Sequence, residues 1–455
     1  MNKNAGRLRR VKVIFAWLLW LINAAIVFGF WWQGNSQLLA SSQLSLSILA
    51  IARLVGMAAT FTALTQFVLM GRQGWLEPIF GLDRLAVFHR RNGVATLLLV
   101  LLHPTLIVTG YSLLNGIGPI EQYLAFYGSS VLVLANIAVV LMILTVGASI
   151  YIVRKHLKFE TWYLVHLANY LAVILFAWHQ FMSGSDLLGN NLLRYYWFGI
   201  YIFAGLNILV WRWIKPFAQS AYFDFKVEKI QAETPTTTNV YITGKNMGQF
   251  KSKGGQFVMV RFLTKGLAGQ EHPFSMSMLP NQNQIRLTIK AQGDFTNQMP
   301  NLKAGTKVIV SGPHGAFTHD KQVTNKVLYI AGGIGITPIR ALVEERSNAG
   351  LRNSAAMLYG NRNQGDSALL EELLTLGAKI NMPIFNVLSE QADYKGEKGY
   401  IDAEKIKRLV PDFATRDIFL CGPPPMMNGI VAALKQLGMP ANQIHYERFS
   451  LHKQA

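Results

Sequence analysis

Apolar positions divide the chain into two halves with different rhythms. Six long runs, at about 13–32, 46–69, 87–110, 130–153, 160–181 and 193–213, fill the first half. Each can cross a hydrocarbon core about 30 Å thick as a helix rising about 1.5 Å per residue. The first run is longer than a signal-peptide core and lacks a small-residue cleavage site, so it is expected to remain as a helix. After Pro216 the pattern shortens. Residues 222–230, 238–243, 256–263, 285–291 and 307–311 read as strands of a small antiparallel barrel, separated by Gly, Pro and Asn. From about residue 326 strands and helices alternate: VLYIA, a glycine loop, a helix from Thr337, AMLYG, a helix through LLEELL, PIFNVL, a further helix and DIFLCG. That is the rhythm of a parallel α/β nucleotide-binding unit. The expected organisation is an all-α six-helix transmembrane bundle over 1–216, an antiparallel β-barrel over 217–322 and an α/β domain over 323–455.

Charge fixes the direction of the membrane half. Arg7, Arg9, Arg10 and Lys12, then Arg72, Arg84, Arg90 and Arg91, then Arg154, Lys155 and Lys158, then Arg212 and Lys215 all fall on one side of the six spans. The loops on the other side, about 33–45, 111–129 and 182–192, contain no Lys or Arg. The positive-inside rule places the basic side and both termini in the cytoplasm. A net charge of +19 suggests nucleic acid at first sight, but 16 basic and five acidic residues before position 217 account for +11 of it. Topology and attraction to anionic membrane lipid explain that excess, and no basic motif with interleaved aromatics appears, so no nucleic acid partner is expected. The one cysteine, Cys421, excludes an intrachain disulfide and a cysteine metal cage.

Four histidines lie within the apolar runs in two matched pairs. His89 and His103 are fourteen residues apart on the third run, and His166 and His179 thirteen apart on the fifth. Imidazole in hydrocarbon needs a partner or a task. Each pair spans roughly 20 Å of helix, so His89 faces His166 near the cytoplasmic side and His103 faces His179 near the outside. Each facing pair can supply both axial ligands of a haem, and two haems in line carry electrons across a membrane. Thirteen residues leave the second pair about 140° out of phase, so its helix must bend or present its ligands from different flanks.

The second half carries four motifs: His272-Pro273-Phe274-Ser275, Gly293-Asp294-Phe295-Thr296, Gly332-Gly333-Ile334-Gly335-Ile336-Thr337-Pro338 and Cys421-Gly422-Pro423-Pro424-Pro425-Met426. The third follows an apolar strand and opens a helix, so its backbone can approach a pyrophosphate and its helix end supplies amide donors. In this order the motifs resemble the ferredoxin–NADP reductase superfamily, and nearly the whole chain resembles the membrane ferric reductases and NADPH oxidases. The resemblance implies FAD, NADPH or NADH, and two b-type haems. It implies that Ser275 faces the flavin ring, that His272, Pro273 and Phe274 hold FAD, and that Gly293, Asp294, Phe295 and Thr296 help bind its pyrophosphate. It further implies that Gly332, Gly333, Gly335, Thr337 and Pro338 receive the nicotinamide nucleotide, that Cys421, Gly422 and Pro423 position the nicotinamide, and that Phe449 stacks on the flavin. Six residues follow Phe449, a departure from the family pattern.

Three further readings concern specificity. Arg362, in YGNRN after a strand, either meets a 2′-phosphate, favouring NADPH, or is a plain surface cation. Arg53, near the outer end of the second span, either snorkels to the interface or meets a haem propionate or an anionic acceptor, as its counterpart in oxidase relatives suggests. Oxidase relatives also carry a histidine one turn beyond the outer ligand of the third span, where this chain has Ile107. The expected activity is transfer of electrons from cytoplasmic NAD(P)H through FAD and two haems to an external acceptor such as oxygen, a ferric chelate or a quinone. The expected location is the bacterial plasma membrane. Two competing readings are a haem subunit conducting electrons for a partner protein and a membrane transporter regulated by nucleotide.

Overall fold

The structure is a computed structural model, and it describes residues 3–150, 156–157, 159–281 and 283–447, with the side chains of 3–10 and 159–160 left aside. Among the described residues, six helices are long and apolar enough to cross a membrane. They lie within α1 (Lys3–Leu39), α2 (Leu44–Met70), α4 (Leu82–Asn115), α5 (Ser130–Ser149), α6 (Phe159–Ser183) and α7 (Asn191–Ile208), and the last continues through a wide-turn segment, Leu209–Ile214, into Lys215–Phe223. A one-turn helix, α3 (Glu77–Phe80), lies between α2 and α4. The protein is an integral membrane protein by these six helices. Of the basic loop residues, Arg154, Lys155 and Lys158 lie outside the described residues.

Contacts divide the chain into two compact units. The helical unit comprises Val13–Gln73 and Arg84–Arg212; the second takes Trp213 onward together with Gly74–Asp83, so the loop carrying α3 belongs to the reductase half although it lies between two membrane helices in sequence. Within the helical unit, polar side chains bridge helices where no water is at hand: the Trp31 indole donates to the Ala50 carbonyl (2.8 Å), Asn92 to the Thr62 carbonyl (2.8 Å) and Thr145 to Asn169 Oδ1 (2.7 Å).

The expected closed barrel is realised as two small antiparallel sheets. One has the order β1 (Lys226–Thr234), β2 (Thr237–Thr243), β5 (Gln284–Lys290); the other β4 (His272–Ser275), β3 (Phe257–Phe262), β6 (Val308–His314). They share one core, in which Val227, Val240, Ile242, Ile285 and Leu287 of the first meet Val258, Val260, Phe262, Val308 and Val310 of the second. Two differences from the sequence reading stand out. Residues 222 and 223 end a helix instead of opening a strand, and HPFS is itself a strand, paired with β3 from Phe257–Ser275 to Val260–His272. Pro273 has no amide hydrogen and obscured this strand in the sequence.

The remaining strands form a parallel sheet in the order β10 (Glu397–Lys398), β9 (Ile384–Leu388), β8 (Ala355–Asn361), β7 (Lys326–Gly332), β11 (Arg416–Cys421), β12 (Ile444–Tyr446). Both faces are covered, which is why its central strands are continuously apolar. Val327, Tyr329 and Ala331 enter one core with Phe419 and Cys421, while Leu328 and Ile330 enter the other with Ile418 and Leu420. Among the helices beside this sheet are α8 (Ile336–Asn348), α9 (Leu370–Lys379) and α10 (Pro424–Gln436); α8 and α10 each begin at one of the two glycine motifs.

Candidate functional site

The helical unit brings the four histidines together in the two pairs read from the sequence. The ring centroids of His89 and His166 are 6.0 Å apart, and those of His103 and His179 are 6.4 Å apart. Two metal–nitrogen bonds of about 2 Å, with about 1.1 Å from each nitrogen to its ring centroid, would separate two axial imidazoles by roughly 6 Å. Both pairs therefore have the spacing of axial ligands. Helix α6 contains neither Pro nor Gly, the usual sources of a kink, and it brings both of its rings to their partners across the thirteen-residue spacing.

The ring orientations also fit ligation. His103 Nδ1 meets the Ala52 carbonyl at 2.8 Å, His179 Nδ1 meets Ser183 Oγ at 3.0 Å, and His166 Nδ1 meets Ser149 Oγ at 3.3 Å. Ser149 is held in turn by the Trp162 indole at 3.1 Å. With Nδ1 engaged, Nε2 of each of these rings is the nitrogen left for a ligand. His89 Nδ1 is buried and closes no hydrogen bond among the described residues. Gly56 makes the outer pair possible, because a Cβ at that position would lie 2.7 Å from the His103 ring.

In the reductase unit, β7 and β11 are adjacent and parallel, with Ala331 opposite Cys421. Chain connections leave in opposite directions at this point, to β8 on one side and β12 on the other, which makes a crevice at the carboxyl ends of the two strands. The two glycine motifs line it in direct contact. A Cβ on Gly335 would fall 2.3 Å from the Cys421 carbonyl oxygen, and one on Gly332 would strike Met426 Sδ. Gly333 has φ +50° and open space above it, the backbone cradle a pyrophosphate needs. Thr337 and Pro338 are buried in the first turn of α8. Arg362 is exposed just past the end of β8.

Ser275 ends β4, buried, and its hydroxyl has no hydrogen-bond partner among the described residues. From it a chain of contacts crosses to the crevice. Ser275 pairs with Phe257, Phe257 with His314, and the space beside Gly315 is closed by Glu447, whose backbone carbonyl is 4.0 Å from Cys421 Sγ. His272 packs on Phe295 at 3.9 Å between centroids. Phe295 itself points into the barrel core, whereas Gly293 and Asp294 are exposed and Thr296 is half-buried. Phe449 and its neighbour Arg448 lie outside the described residues.

Cys421 is completely buried in the sheet core, and burial, followed by the nearby Glu447, holds its thiol well above the ordinary range. It can fill space beside a bound nicotinamide but cannot act as a thiolate. Sequence reasoning passed over two acidic residues here. Glu77 of α3 is buried, accepting from the Gly315 amide (2.9 Å) and meeting His314 Nδ1 (2.8 Å). Glu447 has its carboxyl pushed up to about 8, by burial first, with Asp83 and Glu77 adding and Lys321 opposing. No local pattern marks Glu77, since its partners lie more than 230 residues away.

A raised carboxyl contributes stability that is complete below its unfolded value and is lost as pH rises through its folded one. Glu447 therefore destabilises the fold progressively between about pH 4.5 and pH 8. Glu447→Gln should flatten the decline of the melting temperature over that window, and a variant whose decline is as steep as that of the parent protein would show that Glu447 does not titrate there.

Three family models match successive parts of the chain: a ferric reductase like transmembrane component over residues 55–177, an FAD-binding domain over 224–318 and an oxidoreductase NAD-binding domain over 329–432. The chain has the NADPH oxidase/ferric reductase domain architecture. It is thus a membrane oxidoreductase with FAD- and NAD(P)H-binding domains. Among curated relatives, a flavohemoprotein of Xylella fastidiosa (strain Temecula1 / ATCC 700964) is 26% identical over 232 residues, covering 50% of this chain and 58% of its own length. The reductase component of propane 2-monooxygenase from Gordonia sp. (strain TY-5) is 28% identical over 236 residues, covering 50% of this chain and 67% of its own length. The match thus spans little more than half of the flavohemoprotein. A solved flavohem-like FAD/NAD-binding domain of nitric oxide dioxygenase from Vibrio cholerae O1 biovar El Tor is similar to 49% of this chain at 21% identity, with a TM-score of 0.45 over 96% of that domain.

Proposed function

We propose that this protein carries electrons from cytoplasmic NAD(P)H across the membrane, through FAD and two b-type haems, to an acceptor on the far side. The observation that carries this reading is the two histidine pairs, at 6.0 and 6.4 Å, in a chain that brings its own FAD- and NAD(P)H-binding domains. FAD held by the reductase domains would supply the conversion from a two-electron hydride donor to the one-electron transfer that haem iron requires. The reductase domains on the same chain disfavour a conduit that merely serves a partner.

Each residue has a limited task in this scheme. His89 with His166, and His103 with His179, hold the two haems, while Ala52, Ser149 and Ser183 fix the imidazoles so that little motion accompanies electron transfer. Gly332, Gly333 and Gly335 let the nucleotide pyrophosphate lie against the start of α8. Cys421, Gly422 and Pro423 would form the wall against which the nicotinamide lies. Ser275 offers its unpaired hydroxyl to the reactive edge of the ring, and His272, Pro273, Phe274 and the 293–296 loop hold the rest of FAD. Arg362, exposed past the end of β8, is the cation we assign to the 2′-phosphate of NADPH.

With both histidines of the outer pair committed to holding a haem, an external acceptor would have to take its electrons without binding the metal. With Ile107 in place of the polar residue found in oxidases, oxygen is used without being the sole acceptor. Steady-state NADPH oxidation by the full chain should proceed in air with superoxide formation and should continue anaerobically with a ferric chelate. Stoichiometric superoxide in air with no anaerobic chelate reduction would make it a dedicated oxidase.

A further inference from the structure

Around the outer histidine pair lies a charged cluster that the electron path does not use. Asn35 of α1 is fully buried and both polar atoms of its amide are engaged. Its Nδ2 donates to Asp186 Oδ1 (2.8 Å) and to the Trp31 carbonyl (3.0 Å), and its Oδ1 accepts from Arg53 Nη1 (3.2 Å). Gly34 leaves room for the carboxylate, since a Cβ there would be 3.3 Å from Asp186 Oδ1. Both ends of the cluster adjoin the residues that hold the outer pair. Arg53 follows Ala52, whose carbonyl anchors His103, and Asp186 comes three residues after Ser183, which anchors His179.

An arginine standing alone at this place would attract an anionic oxidant. Here its charge is matched through a buried amide by a carboxylate. The rest of that side adds little: Glu121 and Asp186 are the acidic residues of the three far-side loops, Arg194 lies near the start of α7, and the loops hold no Lys or Arg. We infer that Asp186 is a specificity-determining residue which cancels Arg53 at the acceptor end, so that the protein reduces neutral or cationic oxidants in preference to anionic ones. The inference rests on the two-haem reading and names the acceptor class for it.

The test uses the full chain in detergent, reduced with dithionite and then mixed with hexaammineruthenium(III), a cation, or ferricyanide, an anion. Reoxidation is followed in the haem band, so neither FAD nor NAD(P)H is required. Asp186→Asn should raise the anion-to-cation rate ratio about tenfold at low ionic strength, Arg53→Gln should lower it by a similar factor, and the double variant should return to the parent value, with all differences shrinking in high salt. Spectroelectrochemical titration supplies a readout independent of turnover. The outer-haem potential should rise in Asp186→Asn and fall in Arg53→Gln, because removing a negative charge favours electron uptake. Glu121→Gln serves as a control for the general field and should move the ratio much less. Unchanged ratios and potentials in proteins with the parent haem spectrum would overturn the role of Asp186 alone, as would an equal effect of Glu121→Gln. Should Asp186→Asn fail to fold, Arg53→Gln decides the matter by itself. A parent protein without any haem band would overturn the two-haem reading itself.

Discussion

His103→Ala and His179→Ala should each remove one haem per chain while leaving reduction of the flavin by NAD(P)H largely intact. The reason is geometric. The outer pair meets at 6.4 Å, and the two rings are anchored by the Ala52 carbonyl and by Ser183 Oγ. Alanine removes the imidazole that would hold the haem. Reduction of an external acceptor should fall by two or more orders of magnitude, since electrons reaching the inner pair have no next carrier. His89→Ala and His166→Ala should interrupt the path nearer its source, so that haem reduction by NAD(P)H fails at the inner site. Haem content measured per protein, together with the rate of flavin bleaching, separates these outcomes. Unchanged haem content in all four variants would remove the ligand assignment.

Gly335→Ala is the second large effect. The added Cβ would fall 2.3 Å from the Cys421 carbonyl oxygen and 2.7 Å from the Gly422 amide nitrogen. These are backbone atoms of a central strand and its exit loop, which cannot rotate aside as a side chain can. Overpacking of this kind costs about 1–3 kcal/mol, more where backbone must shift. The crevice between β7 and β11 should widen at the nucleotide site, raising the NAD(P)H KM at least tenfold and lowering the melting temperature. Gly333→Ala faces open space and its cost is confined to a φ of +50°, so it should be the milder change. Equal nucleotide affinity in the Gly335→Ala variant and its parent would show that the two motifs do not share one site.

Much of this architecture was legible because the governing patterns are local. Six apolar runs and the strand–loop–helix rhythm after residue 326 each depend on neighbours within about 20 residues of sequence. The histidine pairs were legible for a different reason: imidazole in hydrocarbon is costly, so its position carries information. What escaped was set by distant contacts. The strand at HPFS exists because β3 accepts it as an edge despite Pro273. Glu77 in a loop between membrane helices binds His314 and Gly315, and Asn35 joins Arg53 to Asp186 over 151 residues. The thirteen-residue spacing of His166 and His179 looked like an obstacle on an ideal wheel, yet both rings of α6 reach their partners, at 6.0 and 6.4 Å.

That one chain joins a nucleotide-driven flavin to two bis-histidine haems is tested most directly by the absorption spectrum of the purified full chain with bound FAD, recorded without oxygen before and after NAD(P)H. The expected spectrum has a flavin band together with two b-type haems per chain, and both haems are reduced by NAD(P)H as fully as by dithionite. A preparation with flavin but no haem, or haems that dithionite reduces and NAD(P)H does not, would contradict it.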